Sequence, residues 1–529
     1  MTASGGPPPP GRRAPVSEHY AIRLQAPFAE RLQLRQTSRR QRTSSQVSAS
    51  HTTGRPSTSD ERAAALARMA DVVGTVHALA DPEQQAPFVH ELRGLYVGRP
   101  ALVVRPGSTR EVADLLAIAN DARIGIVPQG GNTGLVGGQI PADDGSEVVL
   151  SLSRLGRVRA VDAVGGTMIV EAGVTLAEAQ AAAEAAGRLF PLSLPSEESC
   201  QIGGVLATNA GGVGVLAYGN ARSLSLGLEV VTADGGIWDG LRTLKKDNTG
   251  YDLRDLFIGS EGTLGIITAA ALKLFPRPVE TAVALAALPD IEAVGAFFRL
   301  AEARGHTGLT AFEFMSRFAL DLVTRHIPDT RLPVRTPAPW YVLVELSSHE
   351  PGGLADASMQ RLLTEAAQAE LVIDAVIAAS LSQSKALWRL RESISEAQRG
   401  EGGSIKHDVS VPVARIAEFV TKAGEAVQTL CPGARPVVFG HFGDGNVHYN
   451  VTQPEGMDKA EFLALWTPMT EAVHDVIAKL SGSISAEHGI GQMKRNELRR
   501  FKSPLEIELM RQIKAAFDPN GILNPGKVL

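Results

Sequence analysis

Histidines and carboxylates in the last quarter of the chain have the residue types of a metal site. Five of the twelve histidines fall between positions 407 and 488: His407, His441, His448, His474 and His488. His441 and His448 flank a glycine-containing turn, and Glu487 follows 39 residues after the second of them. Two imidazoles and a carboxylate suit Zn²⁺ and leave coordination positions open for a substrate.

The histidine spacing by itself leaves other interpretations open. Two histidines seven residues apart are more often unrelated core or surface residues than ligands of one metal. Asp444 is an alternative carboxylate ligand, but its position between two glycines favours a turn-shaping role. His474 lies in a helical pattern and is expected to be structural. The same holds for His407, although its place beside Lys406 keeps a role in the site open for it.

Groups that could bind an acidic substrate lie just upstream of these histidines. Arg391 is on a predicted helix, Ser395 follows one turn later, and Lys406 opens a predicted strand. A guanidinium can clamp a carboxylate through two parallel hydrogen bonds, which fixes the orientation of the bound molecule. The alternative interpretation of Arg391 is an ordinary charge on a helix surface.

Glycine is enriched in this chain and clustered in its first half. The 53 glycines are 10% of the residues, against about 7% in an average protein. Three clusters lie at 128–134, 203–214 and 259–265. A pyrophosphate needs several backbone N–H donors that no side chain obstructs, and glycine-rich turns provide them. The three clusters together therefore favour a pyrophosphate-binding site over three unrelated turns.

The glycine clusters do not have the setting of the common nucleotide-binding motifs. A GxGxxG fingerprint needs a strand before it, a helix after it and an acidic residue about 20 positions on. Gly131 is instead followed by Asn-Thr-Gly-Leu-Val-Gly-Gly, which is a poor helix former. The P-loop pattern GxxxxGK[ST] is absent from the sequence. These observations disfavour both a Rossmann-type enzyme and a P-loop nucleotidase.

Seven motifs in a fixed order resemble those of the vanillyl-alcohol oxidase / p-cresol methylhydroxylase family of flavoproteins. They are RPGSTREV at 105–112, PQGGNTGL at 128–135, GGVLATNAGG at 203–212, GSEGTLGIIT at 259–268, HFGDGNVH at 441–448, AEHGIG at 486–491 and DPNGILNPGKV at 518–528. Within the family, the chain is similar to the D-2-hydroxy-acid dehydrogenases. This branch includes the D-2-hydroxyglutarate and D-lactate dehydrogenases and the FAD subunit of glycolate oxidase.

The resemblance implies FAD held by the glycine clusters. By that resemblance, 128–135 and 195–214 wrap the FAD pyrophosphate, and 262–267 lie near the adenine and ribose. Some family members attach the flavin through a histidine in the first loop, where this chain has Asn132, so we expect non-covalent FAD. The implied FAD-binding residues are Pro128, Gly130, Gly131, Asn132, Thr133, Gly134, Leu135, Pro195, Ser196, Gly203, Gly204, Thr208, Asn209, Gly211, Gly214, Gly262, Ile266 and Ile267.

The resemblance also assigns roles to the polar residues of the second half. It implies a divalent metal, Zn²⁺ or Mn²⁺ or another, bound by His441, His448 and Glu487, and it makes His488 the catalytic base. The implied substrate contacts are Arg391, Ser395, Lys406 and Asn450. Relatives often have threonine where this chain has Ser395, which keeps the hydroxyl but removes a methyl group and leaves the exact substrate open.

The predicted activity is the FAD-dependent oxidation of a D-2-hydroxy acid, D-2-hydroxyglutarate or a close relative, to the 2-oxo acid. In the implied mechanism the metal lowers the pKa of the substrate hydroxyl as a Lewis acid. His488 takes the hydroxyl proton, and the α-hydrogen leaves as hydride to flavin N5. An electron-transfer flavoprotein, a quinone or a cytochrome is the expected electron acceptor.

Three alternatives remain at the level of sequence. A D-lactate or glycolate dehydrogenase would have the same fold, but a dicarboxylate needs a second cationic contact, for which Lys406 is the candidate. A zinc hydrolase would use His441, His448, Glu487 and a metal-bound water, and it would have no use for the glycine clusters. A non-enzymatic binding module would need no base beside the metal.

The predicted fold class is α+β, with a two-subdomain FAD-binding domain of the p-cresol methylhydroxylase type and an α+β cap domain that contains an antiparallel sheet. The expected boundaries are 59–277 for the FAD-binding domain, with its core at 97–276, and 278–500 for the substrate- and metal-binding cap domain. The segment 501–529 is expected to return to the FAD-binding domain. Helices are predicted over 61–79, 84–95, 109–122 and 354–380, the third of them capped by Ser108 with Glu111 as a capping-box acid. The cap sheet is expected to carry helices on one face.

Composition and charge exclude several classes of protein. The net charge of −5 disfavours binding to nucleic acid or to an anionic membrane, both of which attract positively charged proteins. No apolar run is long enough to span a membrane, and two cysteines cannot form a disulfide framework. Residues 1–58 have nine arginines and two acidic residues, so we expect a disordered extension. We expect a cytoplasmic protein, or a mitochondrial one if the extension is a transit peptide, and a homodimer is one expectation for its assembly.

Overall fold

Four β-sheets carry the part of the chain that the computed structural model describes, residues 59–305 and 308–529. Contacts between residues divide the chain into two units, and every described residue lies in the second, Pro56–Leu529. The predicted N-terminal extension, 1–58, lies outside the described residues. No described helix is long and apolar enough to cross a membrane.

The first sheet has four strands, two of them connected by a well-capped helix. In spatial order the strands are Ala78–Leu79, Leu102–Val104, Glu147–Ser151 and Gly125–Gln129. The last three are parallel, whereas Ala78–Leu79 is antiparallel to its neighbour. Helix Thr109–Ala122 begins where the Ser108 side chain accepts the Glu111 N–H, as the capping pattern predicts.

The second sheet has five strands, all antiparallel, and packs beside the first. In spatial order they are Val158–Asp162, Thr167–Glu171, Ile266–Lys273, Ser225–Val231 and Ile237–Gly240. A two-stranded sheet of Arg188–Leu189 and Phe275–Pro276 completes this half of the molecule. The turn before Thr167 contains Gly166 at φ 66°, a conformation that glycine adopts without strain.

The largest sheet is antiparallel throughout and has eight strands. Seven follow one another in space as Asp374–Ile377, Glu280–Leu288, Trp340–Ser348, Leu309–Ser316, Arg435–His441, Asn446–Thr452 and Ser404–Ile405. The eighth strand, Asp408–Ser410, also pairs with Asn446–Thr452. This antiparallel sheet confirms the predicted architecture of the cap domain.

Helices cover both faces of this sheet, so the prediction of helices on one face only was wrong. One face buries Ala284, Phe312 and Val344 against the helices Ile291–Gly305, Leu354–Gln368, Ile416–Leu430 and Trp466–Lys479. The other buries Leu285, Met315 and Leu343 against Arg317–His326, Leu381–Glu392 and Ile394–Ala397. Successive residues of these strands are apolar on both sides, which is the pattern of a sheet buried on both faces.

The remaining described helices are shorter or lie nearer the chain ends. They are Ser59–Val73, Pro82–Val89, Leu176–Ala185, Ile202–Ala207, Val215–Tyr218, Ala221–Leu224, Arg254–Phe257, Lys459–Leu463, Arg495–Phe501 and Pro504–Phe517, with 3₁₀ turns at Thr75–His77, Gln398–Glu401, Val413–Arg415 and Phe442–Asp444.

Three predicted helices extend too far along the chain. The first ends at Val73, before Gly74 at φ 79°, and the second ends at Val89. The alanine-rich helix stops at Gln368, and Asp374–Ile377 is an edge strand of the large sheet. Alanine-rich composition favours helix throughout this stretch, but pairing with a neighbouring strand decides its last residues.

The C-terminal segment returns to the first sheet, as predicted. Leu523 forms a parallel bridge with Ile126, whose N–H donates to the Ile522 carbonyl at 2.7 Å. Lys514 Nζ donates to the Thr263 carbonyl at 2.7 Å. These bonds join the C-terminal segment to the strand that leads into the first glycine cluster and to the third glycine cluster.

Candidate active site

Neighbouring strands of the large sheet place the predicted metal residues side by side. His441 is paired with Glu313, and His448 is paired with Phe439 on one side and with Asp408 on the other. Side chains two residues apart on a strand share a face, so Phe439 and His441 lie on the same face of the sheet. That face is apolar around Phe439 and becomes polar towards the end that carries these histidines.

Four ionisable side chains lie close enough together to surround one ion. One ligand atom each of Asp408, His448, Glu487 and His488 lies within 4.8 Å of those of the other three. Glu487 Oε1 is 3.7 Å from His448 Nε2 and 3.8 Å from His488 Nε2. Burial lowers the pKa of His448 well below its ordinary value, so its imidazole is neutral, the form that binds a metal. This donor set fits a divalent transition metal.

His441 lies at the edge of this group rather than within it. Its ring centroid is 5.8 Å from that of His448, and its Nδ1 is 2.7 Å from Glu313 Oε1, which leaves Nε2 as the nitrogen free for a metal. Burial by itself lowers the pKa of His441, but attraction to Glu313 and the hydrogen bond with it raise the pKa to about 9. A metal at His441 therefore has to displace a proton.

Asp408 orients the Glu487–His488 pair through the backbone. Its Oδ2 accepts the N–H groups of Glu487 at 3.0 Å and of His488 at 2.9 Å, and its Oδ1 accepts the side-chain amide of Asn446 at 2.8 Å. Burial alone would raise the pKa of Asp408, but attraction to His488, Lys494 and His448 outweighs it and keeps the carboxyl ionised. Asp408 therefore holds the backbone of Glu487 and His488 in place, whether or not it also contacts a metal.

Glu487 also faces the second glycine cluster. Its Oε2 accepts the Gly212 N–H at 3.2 Å, and a Cβ at Gly211 would lie 3.3 Å from the same oxygen. The carboxylate predicted to bind the metal is therefore in direct contact with a loop predicted to bind FAD. This contact explains why glycine is suited to position 211.

Arg391 is not a charge on a helix surface. It is buried on helix Leu381–Glu392, its Nε donates to Glu313 Oε2 at 2.8 Å, and its guanidinium lies 4.8 Å from the centre of the Phe439 ring. Its two terminal nitrogens have no partner among the described residues. Glu313 thus joins Arg391 and His441 and leaves the fork of the guanidinium available for a substrate carboxylate.

The other predicted substrate residues differ in their surroundings. Lys406 has neither a hydrogen bond nor an ion pair among the described residues, and burial, with repulsion from Arg93 and Arg399, lowers its pKa to about 8. Asn450 is buried and donates to Gln398 Oε1 at 3.0 Å. Ser395 is exposed in the short helix Ile394–Ala397.

Two histidines and one aspartate have structural surroundings. His407 is buried between the strands Ser404–Ile405 and Asp408–Ser410, and its Nδ1 is 2.7 Å from the Tyr449 carbonyl oxygen. Its ring packs against that of His474, with centroids 5.9 Å apart. Asp444 Oδ1 accepts the Asn446 N–H at 3.0 Å, which closes the turn between the two strands, as its position between glycines indicated.

Sequence reasoning assigned no role to Asp408 or Glu313. Glu313 is an acidic residue between Phe312 and Phe314 in an otherwise apolar strand, and Asp408 opens a short strand in which Val409 follows it. A buried carboxylate is costly without a partner, so an acid in such a run is a signal that a cation or several N–H donors lie opposite. Which donors these are depends on strand pairing.

The first and second glycine loops pack against each other closely. A Cβ at Gly131 would lie 1.8 Å from the Ser199 carbonyl oxygen, so only glycine fits there, whereas a Cβ at Gly204 would meet nothing within 4 Å. Buried oxygens of the side-chain amides of Asn132, Gln201 and Asn524 have no partner in the described part of the chain. Near the start of helix Ile202–Ala207, the backbone at Gly204 is open and lies close to side-chain amides whose oxygens have no partner among the described residues. This arrangement fits a polar cofactor such as FAD.

The third cluster meets the first at one point. A Cβ at Gly262 would lie 2.4 Å from Pro128 Cγ, so these two residues are in contact. Ile266 and Ile267 have buried side chains in two different cores, and their backbones pair with Val231 and Val230. The side chains of these two isoleucines therefore do not line a cofactor site.

FAD should be released intact when the protein is denatured with acid. Asn132 donates to the carbonyls of Pro87 and His90 at 3.1 and 3.0 Å, and an amide cannot form the bond to flavin that a histidine forms. After precipitation the flavin absorbance is expected in the supernatant. Flavin that stays with the pellet would contradict non-covalent binding.

Comparison with known proteins places the chain among flavoproteins. Residues 100–240 match the FAD binding domain family, and residues 277–528 match the family of FAD linked oxidases, C-terminal domain. The fold resembles that of p-cresol methylhydroxylase, with a TM-score of 0.71, 18% identity and coverage of 89% of this chain and 97% of that one. For an alkyldihydroxyacetonephosphate synthase the TM-score is 0.68, at 19% identity and coverage of 87% and 84%. These likenesses define the class of fold as that of the p-cresol methylhydroxylase-type flavoproteins.

Relatives of higher sequence identity show to which group of these flavoproteins the chain belongs. The mitochondrial D-2-hydroxyglutarate dehydrogenase of Bos taurus is 41% identical over 89% of this chain and 84% of its own length, and that of Arabidopsis thaliana is 38% identical over 87% and 80%. A D-2-hydroxyglutarate–pyruvate transhydrogenase of Saccharomyces cerevisiae is 36% identical over 85% and 90%. The chain belongs to the FAD-linked oxidase family, within its D-2-hydroxyglutarate dehydrogenase group. It is an FAD-linked oxidoreductase, which confirms the class that the motifs predicted.

Proposed function

We propose that this protein oxidises D-2-hydroxyglutarate to the 2-oxo acid as an FAD- and metal-dependent dehydrogenase acting on a CH–OH group. The observation that carries the proposal is the convergence of His448, Glu487 and His488 beside the second glycine cluster. The relatives named as D-2-hydroxyglutarate dehydrogenases support the choice of substrate.

Each group of the site has a separate task in this proposal. His441, His448 and Glu487 would hold a divalent metal, which supplies Lewis-acid polarisation of the substrate hydroxyl. FAD, held by the glycine loops, supplies the acceptor for the hydride from the substrate carbon. His488 takes the hydroxyl proton as general base, and Asp408 fixes its position through the N–H of His488.

Arg391 and Lys406 would bind the two carboxylates of the substrate. The free fork of Arg391 clamps one carboxylate and so determines which face of the substrate carbon is presented. Lys406, which has no partner among the described residues, meets the second. A monocarboxylate such as D-lactate has no group for Lys406, so this residue distinguishes the two substrate classes.

An anaerobic titration tests the proposed function. Purified protein is followed by absorption spectroscopy while D-2-hydroxyglutarate, D-lactate or glycolate is added in separate experiments. D-2-hydroxyglutarate is expected to bleach the flavin at the lowest concentration. Bleaching by D-lactate or glycolate at equal or lower concentration would favour the alternative of the same fold, and a colourless protein would favour a hydrolase.

Metal removal should abolish turnover and leave FAD in place. His441 and His448 lie on the large sheet, away from the glycine clusters, and Glu487 is hydrogen-bonded to the second cluster only through the Gly212 N–H in the described part of the chain. After treatment with a chelator we expect loss of activity, an unchanged flavin spectrum, and recovery on addition of Zn²⁺ or Mn²⁺. Full activity in protein shown by elemental analysis to be free of metal would contradict the proposal.

Alkaline pH should weaken binding of the dicarboxylate through Lys406. Its pKa of about 8 means that the ammonium group is charged below that pH and neutral above it. We expect kcat/KM for D-2-hydroxyglutarate to fall roughly tenfold for each pH unit above 8. Lys406→Arg keeps its charge throughout this range and should remove the alkaline decline. An equal decline in wild type and variant would assign it to another group.

The candidate electron acceptors follow from the chemistry of reduced FAD and from the name of one relative. An electron-transfer flavoprotein, a quinone or a cytochrome would each accept electrons from reduced FAD. The name of the yeast relative adds pyruvate, a 2-oxo acid, to these candidates. Reoxidation of the substrate-reduced flavin by each acceptor, measured anaerobically, separates them.

The domain boundaries, compartment and assembly are also proposals. We propose the FAD-binding domain at 59–277, the cap domain at 278–500 and the returning segment at 501–529. Relatives from Bos taurus and Arabidopsis thaliana are named mitochondrial, whereas one from Xanthomonas citri carries no compartment in its name. Fractionation of source cells decides between cytoplasm and mitochondrion, and sedimentation tests the homodimer.

A further inference from the structure

A buried carboxylate of the third glycine cluster holds the turn that follows the catalytic pair. Glu261 Oε1 accepts the Ile490 N–H at 2.7 Å, and Glu261 Oε2 accepts the Gly491 N–H at 2.8 Å. Glu261 is 9% exposed and has no ion pair within 4 Å in the described part of the chain. Burial raises its pKa, so the two N–H groups are its principal compensation.

The turn is shaped to receive this carboxylate. Gly489 has φ 83° and Gly491 has φ 51°, the left-handed region that glycine adopts without strain. A Cβ at Gly489 would lie 2.8 Å from Glu261 Oε1. The absence of a side chain at position 489 therefore lets the carboxylate approach the backbone closely enough to bind two successive N–H groups.

Two carboxylates, one on a strand of the large sheet and one in a loop of the FAD-binding half, hold the segment 487–491 between them. Asp408 accepts the N–H groups of Glu487 and His488, and Glu261 accepts those of Ile490 and Gly491. Four of the five N–H groups in this segment thus end on the two carboxylates. Asp408 fixes the segment to the large sheet, and Glu261 fixes it to a loop of the FAD-binding half.

The backbone of Glu261 is itself anchored to other cofactor loops. Its N–H donates to the Ala207 carbonyl at 2.8 Å, and its carbonyl accepts the side-chain amide of Asn524 at 2.8 Å. The same amide of Asn524 donates to the Gly138 carbonyl at 3.0 Å. Glu261 has φ 54°, a left-handed backbone conformation that strains a non-glycine residue. Glycine would relieve that strain but could not supply the carboxylate.

We propose that Glu261 is a positioning residue that transmits the placement of the cofactor loops to the Glu487–His488 pair. It acts through the backbone of the 489–491 turn, to which both of its carboxylate oxygens are hydrogen-bonded. The inference rests on the proposed roles of Glu487 and His488. If Glu261 has this role, Glu487 and His488 reach their positions in the metal site only when the third glycine cluster has the conformation seen here.

Glu261→Gln is the variant that tests this role. Glutamine keeps the length and shape of the side chain but offers one oxygen, and it places an NH₂ group opposite the second N–H. One end of the turn should therefore detach, while Asp408 continues to hold the other. Glu171→Gln is the matched control, because Glu171 is also buried and accepts a backbone N–H, that of Arg157 at 3.0 Å, far along the chain from the turn.

All readouts are made on the FAD-loaded proteins. We expect Glu261→Gln to keep wild-type FAD content and KM, to lose metal affinity by about 10–100-fold in a chelator competition, and to have a lower kcat. Hydrogen exchange over 484–493 should be faster than in wild type. Glu171→Gln is expected to lower the melting temperature without changing metal affinity, kcat or exchange in this segment.

The outcomes separate failure of this inference from failure of the proposed function. Wild-type protein that purifies with metal, alongside a Glu261→Gln variant of equal metal affinity and kcat, overturns the positioning role alone. A Glu171→Gln variant that loses metal affinity as much as Glu261→Gln also overturns it, because general destabilisation then explains both. Wild-type protein that binds no metal contradicts the proposed function itself.

Discussion

His488→Ala is expected to lower kcat by about 10²–10⁴-fold while metal and FAD stay bound, the usual range for loss of a positioned general base. His488 Nδ1 is 3.5 Å from Asp408 Oδ2, and its backbone N–H is held by the same oxygen, so the imidazole is oriented before substrate binds. Elemental analysis of the purified variant and single-turnover flavin reduction measure the two quantities.

His448→Ala is the matched variant for this experiment. His448 lies on strand Asn446–Thr452, which pairs with the strand that begins at Asp408. Its ring stacks on that of His488 with centroids 6.1 Å apart. Loss of activity in this variant should follow loss of metal, and flavin should be retained. If His488→Ala loses metal and His448→Ala does not, the two roles are exchanged. The base would then have to be sought elsewhere, and His407 is disfavoured because it is buried, with its Nδ1 2.7 Å from the Tyr449 carbonyl oxygen and its ring against that of His474.

Arg391→Met should cause the largest loss of stability among the site variants. Arg391 and Glu313 form a buried ion pair at 2.8 Å, and their side chains are 10% and 1% exposed. Removing one partner of a buried pair leaves an uncompensated charge, which costs about 3–5 kcal/mol in the free energy of unfolding. Part of this cost is offset here because His441 remains beside Glu313. Denaturant unfolding of the FAD-loaded protein measures the change.

Arg391→Lys separates the role in stability from the role in binding. Lysine keeps a positive charge near Glu313 but cannot clamp a carboxylate with a planar fork. We expect most of the stability to return and kcat/KM for D-2-hydroxyglutarate to stay about 10²-fold below wild type, the scale of a misplaced substrate. Wild-type kcat/KM in this variant would show that Arg391 only supports Glu313.

Local patterns determined the elements in which sequence and structure agree. The capping serine at 108 and the helix Thr109–Ala122 were predictable because both depend on residues within one turn of each other. The helix ends before Gly74 and within the alanine-rich stretch were not, because pairing between distant strands competes there with helix propensity. Burial of both sheet faces is likewise a property of the assembled layers.

The sequence by itself determined the residue types of the site and, through its ordered motifs, the class of enzyme. It could not show that Asp408 and Glu261 hold the 487–491 segment, because their partners are backbone N–H groups 79 and 229 residues away along the chain. Nor could it distinguish a surface Arg391 from one paired with Glu313, 78 residues away. Hydrogen bonds of this kind carry no periodic signal in the sequence. Only the register of the antiparallel strands and the return of the chain to the cofactor loops bring such groups together.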